Sequence, residues 1–323
     1  MSDKKEYTNQ HYIPQCYLKL FSSGGKVVYC KDCNTSPSRL KNINTICCED
    51  DLYSIQTKKI GRNFYLENHM RDEVENPYSE LLHEITKSWK SACISKYPDG
   101  TVLTEEKKFL FAAFIAIQYI RMPMFKEFFV KLADAAAPIL SIYCDKYTRK
   151  EGSDIILDTY PEMSPSLLHA NFGYRNLDIL AKYAQKLYDN YWEFLFTGSK
   201  KVCTSNNPIY FEGGNKSNVV FSEDDVAKFF ALSTCYEDWV KLPYDNLTKF
   251  DTYLGFPISR NIYLRIWNRA NYPEKCSIDN RFFGMSDELL AELNEKTFRN
   301  SIEIYSLFPF ETIFPNEELS KLG

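Results

Sequence analysis

Thr104-Glu105-Glu106-Lys107-Lys108-Phe109-Leu110-Phe111-Ala112-Ala113-Phe114-Ile115-Ala116-Ile117-Gln118-Tyr119-Ile120-Arg121-Met122-Pro123 is the stretch on which the reading of this chain turns. Thr104 is a good N-cap, so a helix is predicted to open there. From Phe109 to Ile117 the run is apolar on nearly every face, which suits a central, buried helix rather than a surface one. Gln118 and Arg121 follow at i and i+3, on one side of that helix, before Met122-Pro123 bends it. A guanidinium near a core needs partners.

Working outward, Phe64, Met70, Val74, Tyr78, Leu81, Leu82 and Ile85 recur at spacings of three and four, which predicts a helix from Arg62 to about Trp89. Pro77 should kink or divide it near Asn76. On the other side a helix is predicted from Phe125 to about Tyr147, then a polar loop over Thr148 to Ser166. Asn176 to Phe196 reads as an amphipathic helix striped by Leu177, Leu180, Ala184, Leu187, Tyr191 and Phe194. Strands are predicted at Val27-Val28-Tyr29, Val202-Cys203-Thr204, Ile209-Tyr210-Phe211, Val219-Val220-Phe221, Ile262 to Trp267 and Ile302 to Ser306. Short helices fit Glu223 to Leu232 and Asp287 to Phe298. The expectation is one α+β domain over residues 1–323, with central helices packed on a mainly antiparallel sheet. Within it residues 1–60 would form a small β-containing cap, 61–197 a mainly helical part and 198–323 a β-rich part.

The 323 residues are 44% hydrophobic and 15% aromatic, enough to bury a sizeable core and too apolar for a disordered tail. A net charge of −4 argues against a surface that is basic throughout, so a nucleic-acid partner would need a local groove. Lys87, Lys90, Lys107, Lys108, Lys200 and Lys201 are candidates for it. Neither a bilayer-spanning run nor the apolar stretch of a signal peptide is present, so a cytoplasmic chain with no membrane partner is expected. The ten cysteines would then stay mostly as thiols.

The most chemically loaded segment lies near the N-terminus, Asn9-Gln10-His11-Tyr12-Ile13-Pro14-Gln15-Cys16-Tyr17-Leu18-Lys19-Leu20-Phe21. Pro14 fixes its own φ and pushes Ile13 toward extended geometry, so the imidazole is displayed from a stiff segment. Such a histidine can be a general base, a metal ligand or a core ring satisfied by backbone.

Cys30-x-x-Cys33 with Cys47 and Cys48 approaches zinc-ribbon spacing, although adjacent cysteines rarely both ligate one ion, and ordinary thiols are the plainer reading. Glu67, Arg71 and Glu75 lie four apart on a predicted helix, as a solvated ladder or as part of a divalent-metal site. Thr204-Ser205-Asn206-Asn207-Pro208 ends a strand, as a substrate-contacting loop or a tight Asx turn. No glycine-rich phosphate loop, Gly-x-Ser-x-Gly elbow or His-Glu-x-x-His helix is present.

Taken together, His11-Tyr12-Ile13-Pro14-Gln15 with Leu18 and Phe21, Asp51-Leu52-Tyr53, Glu75, Phe114 with Gln118-x-x-Arg121-x-Pro123, and Thr204 to Pro208 resemble the domain-of-unknown-function family numbered 4238, from about Asn9 to Tyr305. That resemblance implies a protein of bacteria and mobile elements, some of whose relatives are single-gene antiphage defence proteins. It carries no settled activity. The family's later motif usually reads Thr-Ser-Asp-Asn-Pro, whereas Asn206 stands here at the acidic position. The expectation is a defence effector acting on nucleic acid or a nucleotide, as a nuclease or nucleotide hydrolase that draws on a divalent metal. His11, Glu75, Gln118 and Arg121 would form the catalytic set, and Gln15, Ser205, Asn206 and Asn207 would contact substrate. The rival is a non-enzymatic sensor or binding module in which the same residues form a buried structural network.

Overall fold

A computed structural model of the chain describes residues 9–32, 37–59, 61–94, 100–143, 158, 164–213 and 250–314. In chain order the elements that frame the site are β1 (Asn9–His11), α1 (Gln15–Leu18), β2 (Val27–Asp32), β3 (Arg39–Asn42), β4 (Cys48–Asp50), β5 (Ile55–Thr57) and β6 (Gly61–Asn63). Then follow α2 (Tyr65–His69), a π-helical turn (Met70–Glu75), α3 (Asn76–Ile94), α4 (Glu105–Ile120), α5 (Pro123–Tyr143), α6 (Pro165–His169), a turn kinked at Gly173 (Ala170–Tyr174) and α7 (Leu177–Tyr188). The remainder is β7 (Tyr191–Phe196), β8 (Thr204–Ser205), β9 (Tyr210–Glu212), β10 (Tyr253–Ser259), β11 (Ile262–Trp267), β12 (Arg281–Gly284), α8 (Asp287–Arg299) and β13 (Glu303–Ser306).

The Thr104 hydroxyl accepts from the Lys107 main-chain N–H, so α4 starts where its cap dictates. Phe111, Ala112 and every residue from Phe114 to Ile120 are buried, and α4 packs against α3 and α7. At Arg121-Met122 the direction changes by 57° into α5, because Pro123 cannot continue the ladder of α4. Among the described residues no single helix is long and apolar enough to cross a membrane; the apolarity of α4 is spent on the core.

The fold is mixed α+β, with mostly antiparallel sheets. The larger has the order β12-β7-β11-β10-β9, in which only the β12–β7 pair is parallel. The second has the order β3-β2-β13-β8 and is antiparallel throughout. Two small pairs, β1–β4 and β5–β6, complete the N-terminal part. One cluster of buried apolar side chains runs from Ile13 to Tyr305.

One local expectation changes, and two pairings were not anticipated. Asn176 to Phe196 is not one helix: α7, capped by Asn176 on Ile179 N–H, stops at Tyr188, and Tyr191 to Phe196 is a strand. That strand lies inside the sheet and is buried on both faces, its one polar residue Glu193 included, so no exposed polar face sets a period that would distinguish strand from helix. Within the N-terminal part, β2 pairs with β13 from the far end of the chain, Tyr305 opposite Cys30. β10 went unassigned because Gly255 and Pro257 look like strand breakers. Gly255 is needed there, since a Cβ would sit 2.5 Å from the Tyr210 ring, and Pro257 lies beyond the last residue paired with β9. The predicted strand Val219-Val220-Phe221, the predicted helix Glu223 to Leu232 and most of the loop Thr148 to Ser166 lie outside the described residues.

Candidate functional site

Arg121, at the C-terminal end of α4, is 1% exposed and is the hub of the polar cluster. Its Nε donates to the Tyr53 hydroxyl at 3.0 Å, and Nη2 donates to Glu75 Oε1 at 2.9 Å and to the main-chain carbonyl of His11. The guanidinium also lies 5.6 Å from the centre of the Tyr53 ring. Burial opposes its charge, but Tyr53 and Glu75 outweigh that cost and hold its pKa above the ordinary arginine value. One turn earlier the Gln118 amide, also buried, donates to the Tyr12 carbonyl at 3.1 Å. Gln118 and Arg121 thus grip two consecutive carbonyls of the His11-Tyr12 segment.

The grip fixes the backbone and leaves the imidazole half-buried. His11 Nε2 lies 3.2 Å from the Ile43 carbonyl, and a carbonyl can only accept, so Nε2 carries the hydrogen and Nδ1 the lone pair. The amide nitrogen of Gln15, the first residue of α1, lies 3.4 Å from the same Nε2; it can only donate, so beside the shorter contact to the Ile43 carbonyl it is a neighbour of the ring and not its hydrogen-bond partner. Burial lowers the His11 pKa more than the Ile43 carbonyl and Glu75 raise it, and Arg121 lowers it further. The ring is therefore neutral at pH 7, and among the described residues nothing hydrogen-bonds Nδ1.

Glu75 ends the π-helical turn and is half-buried, with its second carboxylate oxygen outside the Arg121 contact. Glu67, on α2, is also half-buried. In a regular α-helix, residues eight apart would point about 80° away from each other. The π turn absorbs one additional residue and brings the two glutamates within about 20° of one face. Arg71, the middle member of that ladder, is exposed and makes two hydrogen bonds to Asp72. Burial, then the charge of Glu75, pushes Glu67 up to about 7 against the lowering by Arg121 and Arg71. Cys16 lies 3.9 Å from the Glu75 carbonyl, and burial raises its thiol to about 12, so it stays protonated. Two nearby hydroxyls, Tyr78 and Tyr174, are buried and have no hydrogen-bond partner among the described residues.

The structure thus gathers His11, Gln15, Glu75, Gln118 and Arg121. The Thr204 to Pro208 turn is held elsewhere: Asn206 Oδ1 accepts from the Ile302 and Glu303 N–H groups at 3.1 Å each, and Asn207 Nδ2 donates to the Asn300 carbonyl at 3.1 Å. Ser205 is fully buried and its Oγ accepts from Asn207 N–H. These side chains lock the entry of β13, and a carboxylate at position 206 would accept the same two N–H groups. Among the described residues, Thr204 connects this turn to the His11 segment through a 2.6 Å hydrogen bond with the Tyr17 hydroxyl, which donates to the Pro257 carbonyl at 2.7 Å.

Of the cysteine quartet, Cys33 lies outside the described residues, Cys30 and Cys47 are buried and Cys48 is half-buried. Among the described residues no three His, Cys, Asp or Glu side chains converge as a metal site. A divalent ion at Glu75 would therefore take most of its shell from water and substrate oxygens. Of the lysines proposed for a groove, Lys107 is paired with Glu84 at 2.7 Å, and buried Lys108 with Asp279 at 2.9 Å. The side chain of Lys90 lies outside the described residues, while Lys87 and Lys200 are exposed and Lys201 is half-buried.

Sequence reasoning quoted Gln10 and Tyr53 but gave neither a role in the site. Gln10 is fully buried, donates to Ser54 Oγ at 2.8 Å and accepts from the Tyr53 main-chain N–H, which fixes Tyr53 under Arg121. A glutamine between asparagine and histidine carries no periodic signal, and its burial follows from the β1–β4 pairing alone.

No curated protein and no solved structure matches the chain. A family model described as "Protein of unknown function (DUF4238)" matches residues 9–306. The match takes in both the His11 segment and the α4 residues that grip it, and the chain belongs to the DUF4238 family.

Proposed function

We propose that this chain is an intracellular defence effector that hydrolyses a phosphoester of nucleic acid or of a nucleotide. The observation that carries the hydrolytic part is a neutral imidazole with an unbonded Nδ1, held on a rigid segment near the Glu75 carboxylate that Arg121 fixes in place. Nδ1 is a competent general base: it can take a proton from water as the water oxygen attacks phosphorus. Glu75 orients that water or shares a divalent ion with the substrate, and the Gln15 amide can donate to a phosphoryl oxygen. Arg121, sealed in the core with its donors engaged, acts as a positioning residue rather than a clamp on phosphate. The defence context rests on the family resemblance.

The non-enzymatic reading has a specific observation in its favour, because Arg121, Gln118 and Gln10 all spend their donors on internal acceptors. The two readings part in a direct assay. Purified protein is incubated with RNA, single- and double-stranded DNA and nucleoside triphosphates, each with magnesium, with manganese and with EDTA. Cleavage of at least one substrate, together with reduced phage plating in cells that carry the gene, supports the effector. A protein inert across the whole panel defeats the hydrolytic reading and leaves the binding module.

A further inference from the structure

Three stretches of this chain hold no acidic residue: Asn9 to Lys31, Phe194 to Phe211 and Tyr253 to Pro273. The fold joins loops from all three. At the tip between β10 and β11, Arg260 N–H donates to the Leu20 carbonyl at 3.3 Å and Arg260 Nη1 to the Ser22 carbonyl at 3.2 Å. The Arg260 carbonyl in turn accepts from Val202 N–H at 3.2 Å. Five cations stand on these joined loops: Lys19, Lys26 and Lys200 are exposed, and Lys201 and Arg260 are half-buried. None of the five makes an ion pair among the described residues. On a chain of net charge −4, an uncompensated cluster of this kind attracts polyanions to one place.

The cluster adjoins the His11 segment. Ile43 accepts from the His11 ring through its carbonyl, and its N–H donates to the Lys26 carbonyl at 2.9 Å. Gln15 and Lys19 lie four apart in consecutive helical turns, so they project from one side. Lys19 also runs beside the turn that carries Lys26, its Cγ 3.9 Å from where a Cβ on Gly25 would sit. That turn is bare: Gly24 and Gly25 hold φ of +58° and +72°, and a Cβ on Gly24 would meet nothing within 4 Å, which leaves the backbone open to a phosphate.

We propose that Lys19, Lys26, Lys200, Lys201 and Arg260 bind the sugar-phosphate backbone of a nucleic-acid strand and lead it to the His11 site, so that the protein acts on a strand rather than on a free nucleotide. Delivery to His11 rests on the hydrolytic reading above, whereas the binding itself does not. A polymer fits this arrangement because cations on three separate loops each meet a different phosphate, and a mononucleotide has too few to engage them all. Phosphates carry no sequence information, so the strand is held without regard to its bases. A lipid surface is a poorer fit, since none of the large exposed apolar side chains belongs to these loops and an interfacial anchor needs one.

The test is fluorescence anisotropy of a labelled oligothymidylate in EDTA, where binding is read without cleavage, over salt from about 50 to 200 mM. Five phosphate contacts give a slope of log affinity against log salt of about −3.5 on a single strand. Lys19→Gln, Lys26→Gln and Lys200→Gln combined should weaken binding at least ~10-fold and flatten that slope by about 2. These three side chains are exposed and make no hydrogen bond among the described residues, so melting should not change. A control with the same charge change, Lys59→Gln, Lys87→Gln and Lys186→Gln, removes exposed lysines elsewhere and should bind as wild type does. Arg260→Gln alone should flatten the slope by about 0.7. A wild type that does not bind, a first triple variant with unchanged affinity and slope, or equal losses in both triple variants would overturn the proposal. So would polyglutamate or phosphatidylserine vesicles bound as tightly as the oligonucleotide. Binding as expected by a protein inert in the hydrolysis panel sinks the hydrolytic reading alone, and cleavage of nucleoside triphosphates without strand binding sinks this proposal alone.

Discussion

Arg121 Nη2 lies 2.9 Å from Glu75 Oε1 and reaches the main-chain oxygen of His11 with the same nitrogen, so one side chain of α4 joins the end of the π turn to the N-terminal segment. The bond goes to the backbone of His11, and the imidazole is left for other work. Scaffold and chemistry are thereby divided within a single residue.

Arg121→Ala removes a buried ion pair partner and strands the Tyr53 hydroxyl and the His11 carbonyl. Breaking such a pair costs about 3–5 kcal/mol, so chemical denaturation should show a loss of that order and reduced soluble yield. Arg121→Lys should recover less than half, because an ammonium cannot span three acceptors in one plane. A loss below about 1 kcal/mol for Arg121→Ala would mean that the network is dispensable.

Gln10→Leu keeps much of the side-chain volume but removes both contacts of that amide, leaving the Tyr53 N–H buried without an acceptor. The expected cost is about 1–3 kcal/mol by urea denaturation, although no functional motif contains Gln10. An unchanged midpoint would show that solvent replaces the glutamine.

Gly255→Ala places a methyl group against Tyr210, where a Cβ meets ring carbons at 2.5 Å. Overpacking of this kind costs about 1–3 kcal/mol, and shortening the tyrosine should relieve it. Tyr210→Leu introduced beside Gly255→Ala should be less destabilising than the sum of the two single changes, as read by a double-mutant cycle.

Stability should depend on pH through Glu67 and His169 in opposite senses. The folded pKa of Glu67 is raised from 4.5 to about 7, so the native state binds more protons than the unfolded chain in that window and Glu67 withdraws stability as pH rises through it. Glu67→Gln should therefore gain on wild type from pH 4.5 to about 7 and keep a constant advantage above it. His169, stacked on Phe129 and hydrogen-bonded to the Ile120 carbonyl at 2.6 Å, is lowered by burial from 6.5 to about 3. There the unfolded chain binds the proton first, so stability falls as pH drops from 6.5 toward 3. Melting temperatures from pH 3 to 9 for wild type, Glu67→Gln and His169→Phe check both signs.

Much of this was legible in the chain. The burial of α4, its capping by Thr104 and the turn at Pro123 follow from an apolar run that ends in a charge needing partners, whereas Arg121 meets the main chain of His11 and not the imidazole that the sequence reading had in view. The helix does divide near Asn76, where the break was expected, but that the irregularity is a π turn over Met70–Glu75 was not legible. Nor was the role of Asn206, because a polar turn residue looks the same whether it faces a ligand or, as here, the N–H groups of Ile302 and Glu303. The strand Tyr191–Phe196 was hidden because both its faces are buried, even its one charged residue, Glu193, so no solvent-facing alternation sets its period.

The most direct measurement is the paired activity and melting temperature of His11→Ala beside wild type. The substitution leaves the His11 carbonyl, and hence the contact from Arg121, in place and removes only the ring. An acid–base site requires hydrolysis to fall at least ~10²-fold while melting shifts by a few degrees at most. Full activity in His11→Ala, or activity and melting lost together, would contradict it.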